Sequence, residues 1–131
     1  MVTVACGAVL ASTSCAAGSR DASPPPPGSS SSVVLETYLR ALVAGDCTTA
    51  HAAATSTFAA EPAELCGKVR VSSFSVIEDP ATPAPNEAIY LTTLTTSGSR
   101  DGSIARGKTD WFYKLEREGG EWRLVSGGSG P

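Results

Sequence analysis

The chain has 131 residues, a formal net charge of -3 and 41% hydrophobic residues, which bounds it to one globular domain beside a non-globular end. A mildly acidic chain without a basic block argues against a nucleic-acid partner. It has four cysteines and a single histidine, and no phosphate-binding glycine loop or Ser/His/Asp spacing, so no cofactor is implied.

Met1 to Ala11 is almost free of polar residues but far shorter than the roughly 20 residues of a spanning helix. Residues 1–18 therefore read as an export signal. Ser14-Cys15-Ala16-Ala17-Gly18-Ser19, followed by a polar tract, resembles the junction of a bacterial lipoprotein, in which the cysteine becomes the lipidated first residue. That resemblance implies a membrane anchor at Cys15, on the outer face of the membrane. Two features depart from it: Ser12 stands where an aliphatic residue is usual, and no Lys or Arg precedes Cys15. A plain cleaved signal with an unmodified Cys15 is the alternative. Residues 19–32 carry Pro24 to Pro27 and Ser29 to Ser32, a composition too polar to bury a core. They read as a tether, extended at about 3.1 Å per residue where polyproline II forms.

The domain itself is expected over residues 33–126. Leu35, Tyr38, Leu39 and Leu42 recur at helical spacing, leaving Glu36, Thr37, Arg40 and Ala41 off the stripe. Ser32 is the expected N-cap, Glu36 and Arg40 are an i,i+4 pair, and Gly45 is the stop. Asp46 then caps a second helix whose Cys47, Ala50, His51, Ala54 and Phe58 share one face. A third turn is expected at Pro62 to Cys66.

Cys47 and Cys66 are the only cysteines of that domain. In an exported chain they are expected to pair, closing a loop of about 20 residues worth roughly 3 kcal/mol on the chain-entropy account. Cys47, His51 and Cys66 as metal ligands lack an evident fourth, so no metal is expected.

After Gly67 the period becomes two. Val69 and Val71 share one parity and Phe74 and Val76 the other, a phase shift that a bulge produces. Asp79 to Asn86 is a proline-rich loop. Glu87 to Ser97 is the clearest strand, with Tyr90, Thr92 and Leu94 on one side and Ile89, Leu91, Thr93 and Thr95 on the other. Ile104 to Glu116 is the next, with Trp111, Tyr113 and Leu115 opposite Asp110, Phe112 and Lys114. Gly119-Gly120 turns the chain into Glu121 to Val125, and residues 127–131 read as a flexible tail. Helices first and strands after is the α+β class, here N-terminal helices packed on a curved antiparallel sheet of about four strands.

The helix Val34 to Leu42, the step Ala44-Gly45-Asp46 and the closing strand Gly119 to Val125 together resemble the nuclear-transport-factor-2-like (cystatin-like cone) superfamily, including its small bacterial envelope proteins. The resemblance implies a cone in which the helices lie in the concavity of the sheet. Tyr38, Leu42, Tyr90, Trp111 and Tyr113 would then line a pocket. Enzymes of that superfamily use a carboxylate in the cone, which makes Asp110 and His51 the weak catalytic candidates. No spacing ties these two together, and a lone histidine on an apolar helix face is more often packed than catalytic. The expected function is a tethered extracytoplasmic binding or accessory domain, for a small apolar ligand or an envelope protein partner. A small isomerase-, cyclase- or hydrolase-like enzyme and a structural spacer are the alternatives.

Overall fold

The computed structural model describes residues 24–77 and 80–129; Cys15 and the expected signal lie outside them. The helices come first, α1 (Ser31–Ala44), α2 (Cys47–Ala52) and α3 (Ser56–Ala59). The strands β1 (Val71–Val76), β2 (Glu87–Thr96), β3 (Gly107–Glu118) and β4 (Glu121–Gly128) follow. All four strands form one antiparallel sheet in the order β1-β2-β3-β4, the expected α+β arrangement.

Helix α1 opens earlier than expected, inside the serine run assigned to the tether. Ser30, not Ser32, is the N-cap, its side chain accepting from the Val33 N–H. Any serine of that run has the capping oxygen. Tertiary contact separates them, because the Ser31 hydroxyl lies 2.8 Å from the Tyr90 hydroxyl of β2. Glu36 consequently sits a turn deeper than the helix dipole reaches, and it pairs with Arg40 at 3.0 Å on the solvent side. Thr37 and Ala41, expected off the stripe, are buried. The helix has more than one partner surface, packing on α2 as well as on β1 and β4, and so buries a wider band.

Gly45 ends α1 with φ 73°, its N–H returning to Leu42, while the Asp46 N–H returns to Ala41. Only glycine takes that left-handed geometry without a Cβ penalty. Asp46 caps α2 as expected. Its carboxylate accepts from the Thr49 hydroxyl at 2.7 Å and the Thr49 N–H at 3.1 Å, and these bonds hold the carboxyl below its ordinary range.

The second helix does not run through to Phe58. The chain leaves it after Ala52 and lies against β4, with Leu124 N–H donating to Ala53 and Thr55 N–H donating to Leu124. Thr55 then caps the short α3, which delivers Phe58 to the core. Two backbone bonds to an exposed strand edge outweigh the helix propensity of an alanine run. Pro62 to Cys66 is not helical either, but a succession of turns that buries Glu64 and Leu65.

In the sheet, the predicted phase shift is a bulge between Val71 and Ser73, and Val69 precedes the strand. Tyr90, Thr92 and Leu94 of β2, with Trp111, Tyr113 and Leu115 of β3 and Leu124 of β4, form the buried face under the helices. Ile104, expected to begin β3, is instead buried from the preceding loop. Gly127 and Gly128 belong to β4 rather than to a tail, pairing with Tyr113 and Phe112. A Cβ on Gly127 would come within 3.0 Å of the Tyr113 ring, so the glycine there admits the aromatic side chain.

Leu39 is fully buried on α1 while Arg40 is exposed. Leu39→Ala is expected to cost about 2–5 kcal/mol and Arg40→Ala to stay within about 0.5 kcal/mol in chemical denaturation.

Candidate functional site

Tyr38, Leu42, Tyr90, Trp111 and Tyr113, the five residues expected to line a pocket, all belong to the hydrophobic core, none more than 6% exposed. The Tyr38 ring meets Tyr113 edge-on at 5.4 Å between centroids and Phe58 at 6.3 Å. These aromatic rings pack the space between α1 and the sheet.

The chemistry gathers around a residue that sequence reasoning passed over. Glu64 is 1% exposed, a position a carboxylate occupies only when it is hydrogen-bonded. Its Oε2 accepts from the Tyr38 hydroxyl at 2.7 Å and the Cys66 N–H at 2.9 Å; its Oε1 lies 2.9 Å from His51 Nε2. One side chain thus ties α1, α2 and the turn region to a single point. The one available signal was a lone carboxylate between Ala63 and Leu65, two residues before a cysteine, and nothing in that spacing distinguishes it from a surface glutamate.

The Cys47–Cys66 disulfide closes the same region, with Cα atoms 5.6 Å apart, so neither sulfur is free to bind a metal. Glu64 and the disulfide both join α2 to the turns after α3. His51 stands one turn beyond Cys47 with its side chain 40% exposed. In the tautomer that donates Nε2–H to Glu64, the imidazole keeps Nδ1 as an acceptor. A buried carboxylate behind a half-open imidazole is an arrangement that general bases use.

Asp110 is not part of this cluster. It is exposed on the outer face of β3, where Thr93 donates to it at 3.3 Å. Strand alternation sends Trp111 inward and Asp110 outward, so the sheet separates the two weak catalytic candidates. That outer face also holds a half-open depression of about 310 Å³ bordered by Ile89, Phe112, Lys114 and Ser126.

Among the described residues, the buried Trp111 Nε1 and Tyr113 Oη have no partner within hydrogen-bond geometry. Burial pushes the Tyr113 phenol well up from its ordinary value, although the Tyr38 hydroxyl lies close enough to Tyr113 to favour its ionised form slightly. Burial does the same to Tyr38, where the neighbouring Tyr113 and Glu64 add to the effect. No known protein family matches the chain, and no curated protein matches it in sequence.

Two expectations follow from this geometry. Tyr38→Phe takes one donor from a buried carboxylate and should cost about 1–3 kcal/mol, whereas pairing it with Glu64→Leu should cost less than the sum of the single changes. A double-mutant cycle in urea measures that coupling. The raised phenols also set an alkaline limit. Their stabilising contribution is complete below the unfolded value of about pH 10 and is lost as pH rises toward the higher folded values. Absorbance at the tyrosinate band should therefore show Tyr38 and Tyr113 ionising only together with loss of structure.

Proposed function

We propose that this chain is a tethered extracytoplasmic accessory domain of the cone superfamily, held at the bacterial cell envelope by a lipid on Cys15. It acts through its surface rather than around an enclosed ligand. The observation that carries this reading is the packed interior: the residues that would wall a cone pocket are buried members of one core cluster, with Tyr38 edge-on to Tyr113. The disulfide supports the compartment, since such bonds persist outside the reducing cytoplasm. The proline-rich stretch ahead of α1 supports the tether.

The carboxylate-backed His51 favours a second reading, a small enzyme of the isomerase, cyclase or hydrolase type that works by proton transfer. The two differ in the reactivity of the imidazole. For an accessory domain, His51 should react with diethyl pyrocarbonate no faster than a free histidine derivative, and marked acceleration would favour the enzyme.

Native mass spectrometry of protein extracted from its own membrane fraction tests the main reading. The expected species carries acyl chains on Cys15 and one disulfide, without a retained ligand. Cys15→Ala should move the protein into the soluble fraction, because stable anchoring depends on the attached lipid. An unlipidated wild-type mass would remove the anchor, and a ligand held through desolvation would remove the packed-interior argument.

A further inference from the structure

The two edges of the sheet are treated differently. The β4 edge is covered near Leu124 by Ala53 and Thr55, through two backbone bonds of 3.0 and 2.9 Å. Among the described residues, β1 pairs with β2 alone. Natural sheets blunt a free edge with charge, proline, a bulge or a covering segment; β1 carries its bulge between Val71 and Ser73, and the run Phe74 to Ile77 beyond it contains no bulge, no charged residue and no proline. Val76 and Ile77 at its end are 42% and 47% exposed, and Val33 of α1 is 42% exposed. Helix α1 begins beside Tyr90, two residues from the Thr92 that pairs with Val76, and alternation places Val76 on the core side of the edge and Ile77 on the outer side.

The register identifies which backbone groups face outward. The Ile77 N–H donates to Leu91, and antiparallel pairs alternate between bonded and non-bonded positions. Ser75 opposite Thr93 is therefore a bonded pair, while Phe74 opposite Leu94 and Val76 opposite Thr92 are not. The N–H and C=O groups of Phe74 and Val76 point away from β2.

We propose that β1 is the pairing edge of a symmetric dimer, in which a second copy of this chain adds its own β1 antiparallel across a two-fold axis at Ser75. Phe74 of each copy then exchanges both backbone bonds with Val76 of the other. Two aromatic–β-branched cross-strand pairs form on the side of the sheet that carries the core, a combination favourable in such ladders. Ser75 faces its own counterpart across the axis with no bulk or charge to oppose the approach. The charge order of the chain also suits an antiparallel copy, being basic at Lys68 and Arg70 ahead of β1 and acidic in sequence directly after Ile77. The inference depends neither on the lipid nor on any ligand.

Sedimentation velocity of the purified protein over a range of concentrations tests it, together with the variants Ser75→Lys and Ser75→Glu. Ser75 is exposed, so both substitutions leave the fold intact. Each places like charges opposite one another across the axis and should raise the dimer dissociation constant by up to about fivefold. Mixing the two should restore a dimer of one copy of each. Amide exchange at Phe74 and Val76 should slow as concentration rises. A wild type that stays monomeric at several hundred micromolar would overturn the proposal. So would a dimer indifferent to both Ser75 variants, or edge amides protected equally at every concentration, which would mean that the chain covers its own edge.

Discussion

The buried carboxylate of Glu64 is the constraint on which the helical half of the molecule depends. A carboxylate withdrawn from water is tolerated only when donors replace its hydration, and here the donors come from three places: Tyr38 on α1, His51 on α2 and the backbone of Cys66. Meeting that demand fixes the relative position of segments that share little regular structure. The turns between α3 and β1 are held by local backbone bonds such as Glu64 N–H to Glu61 and Lys68 N–H to Leu65, and they bury Glu64 and Leu65 almost completely. The Cys47–Cys66 bridge reinforces the same junction covalently. The polar anchor specifies the arrangement, and the covalent one limits the freedom of the unfolded chain.

Around this junction the aromatic residues complete the core. Tyr38 serves both systems: its hydroxyl goes to Glu64 and its ring edge to Tyr113. The Tyr113 ring has room because Gly127, its cross-strand neighbour, lacks a side chain. Outside the core, Arg117 lies over the Trp122 ring at 5.5 Å and shields the end of the last hairpin. The result is a domain whose interior is packed around these rings, with the outer sheet face and, among the described residues, the β1 edge left without a covering element.

Elements governed by local chemistry were legible in advance. The α1 stripe, the Gly45 stop, the Asp46 cap, the alternation of β2, the bulge in β1 and the Gly119-Gly120 hairpin each depend on residues close in sequence, and each stands where the pattern implied. The disulfide was legible as well, since only two cysteines are available in the domain. The expected pocket residues were recognised as inward-facing, but whether inward means a cavity or a core depends on how closely the opposing surfaces approach. Sequence period carries no information about that distance.

What the sequence determined by itself is therefore the class, the faces and the cysteine pair, because caps, periods and turns are decided within about one helical turn or one strand. Tertiary structure alone decided where α2 stops, since Ala53 to Thr55 leave the helix only because β4 offers backbone partners there. It alone decided that β4 continues through Gly127 and Gly128, which pair across to β3 despite their poor strand propensity. It alone decided that Glu64 is internal. A carboxylate is buried only if donors from distant segments converge on it, and that convergence is a property of the folded chain that no local pattern records.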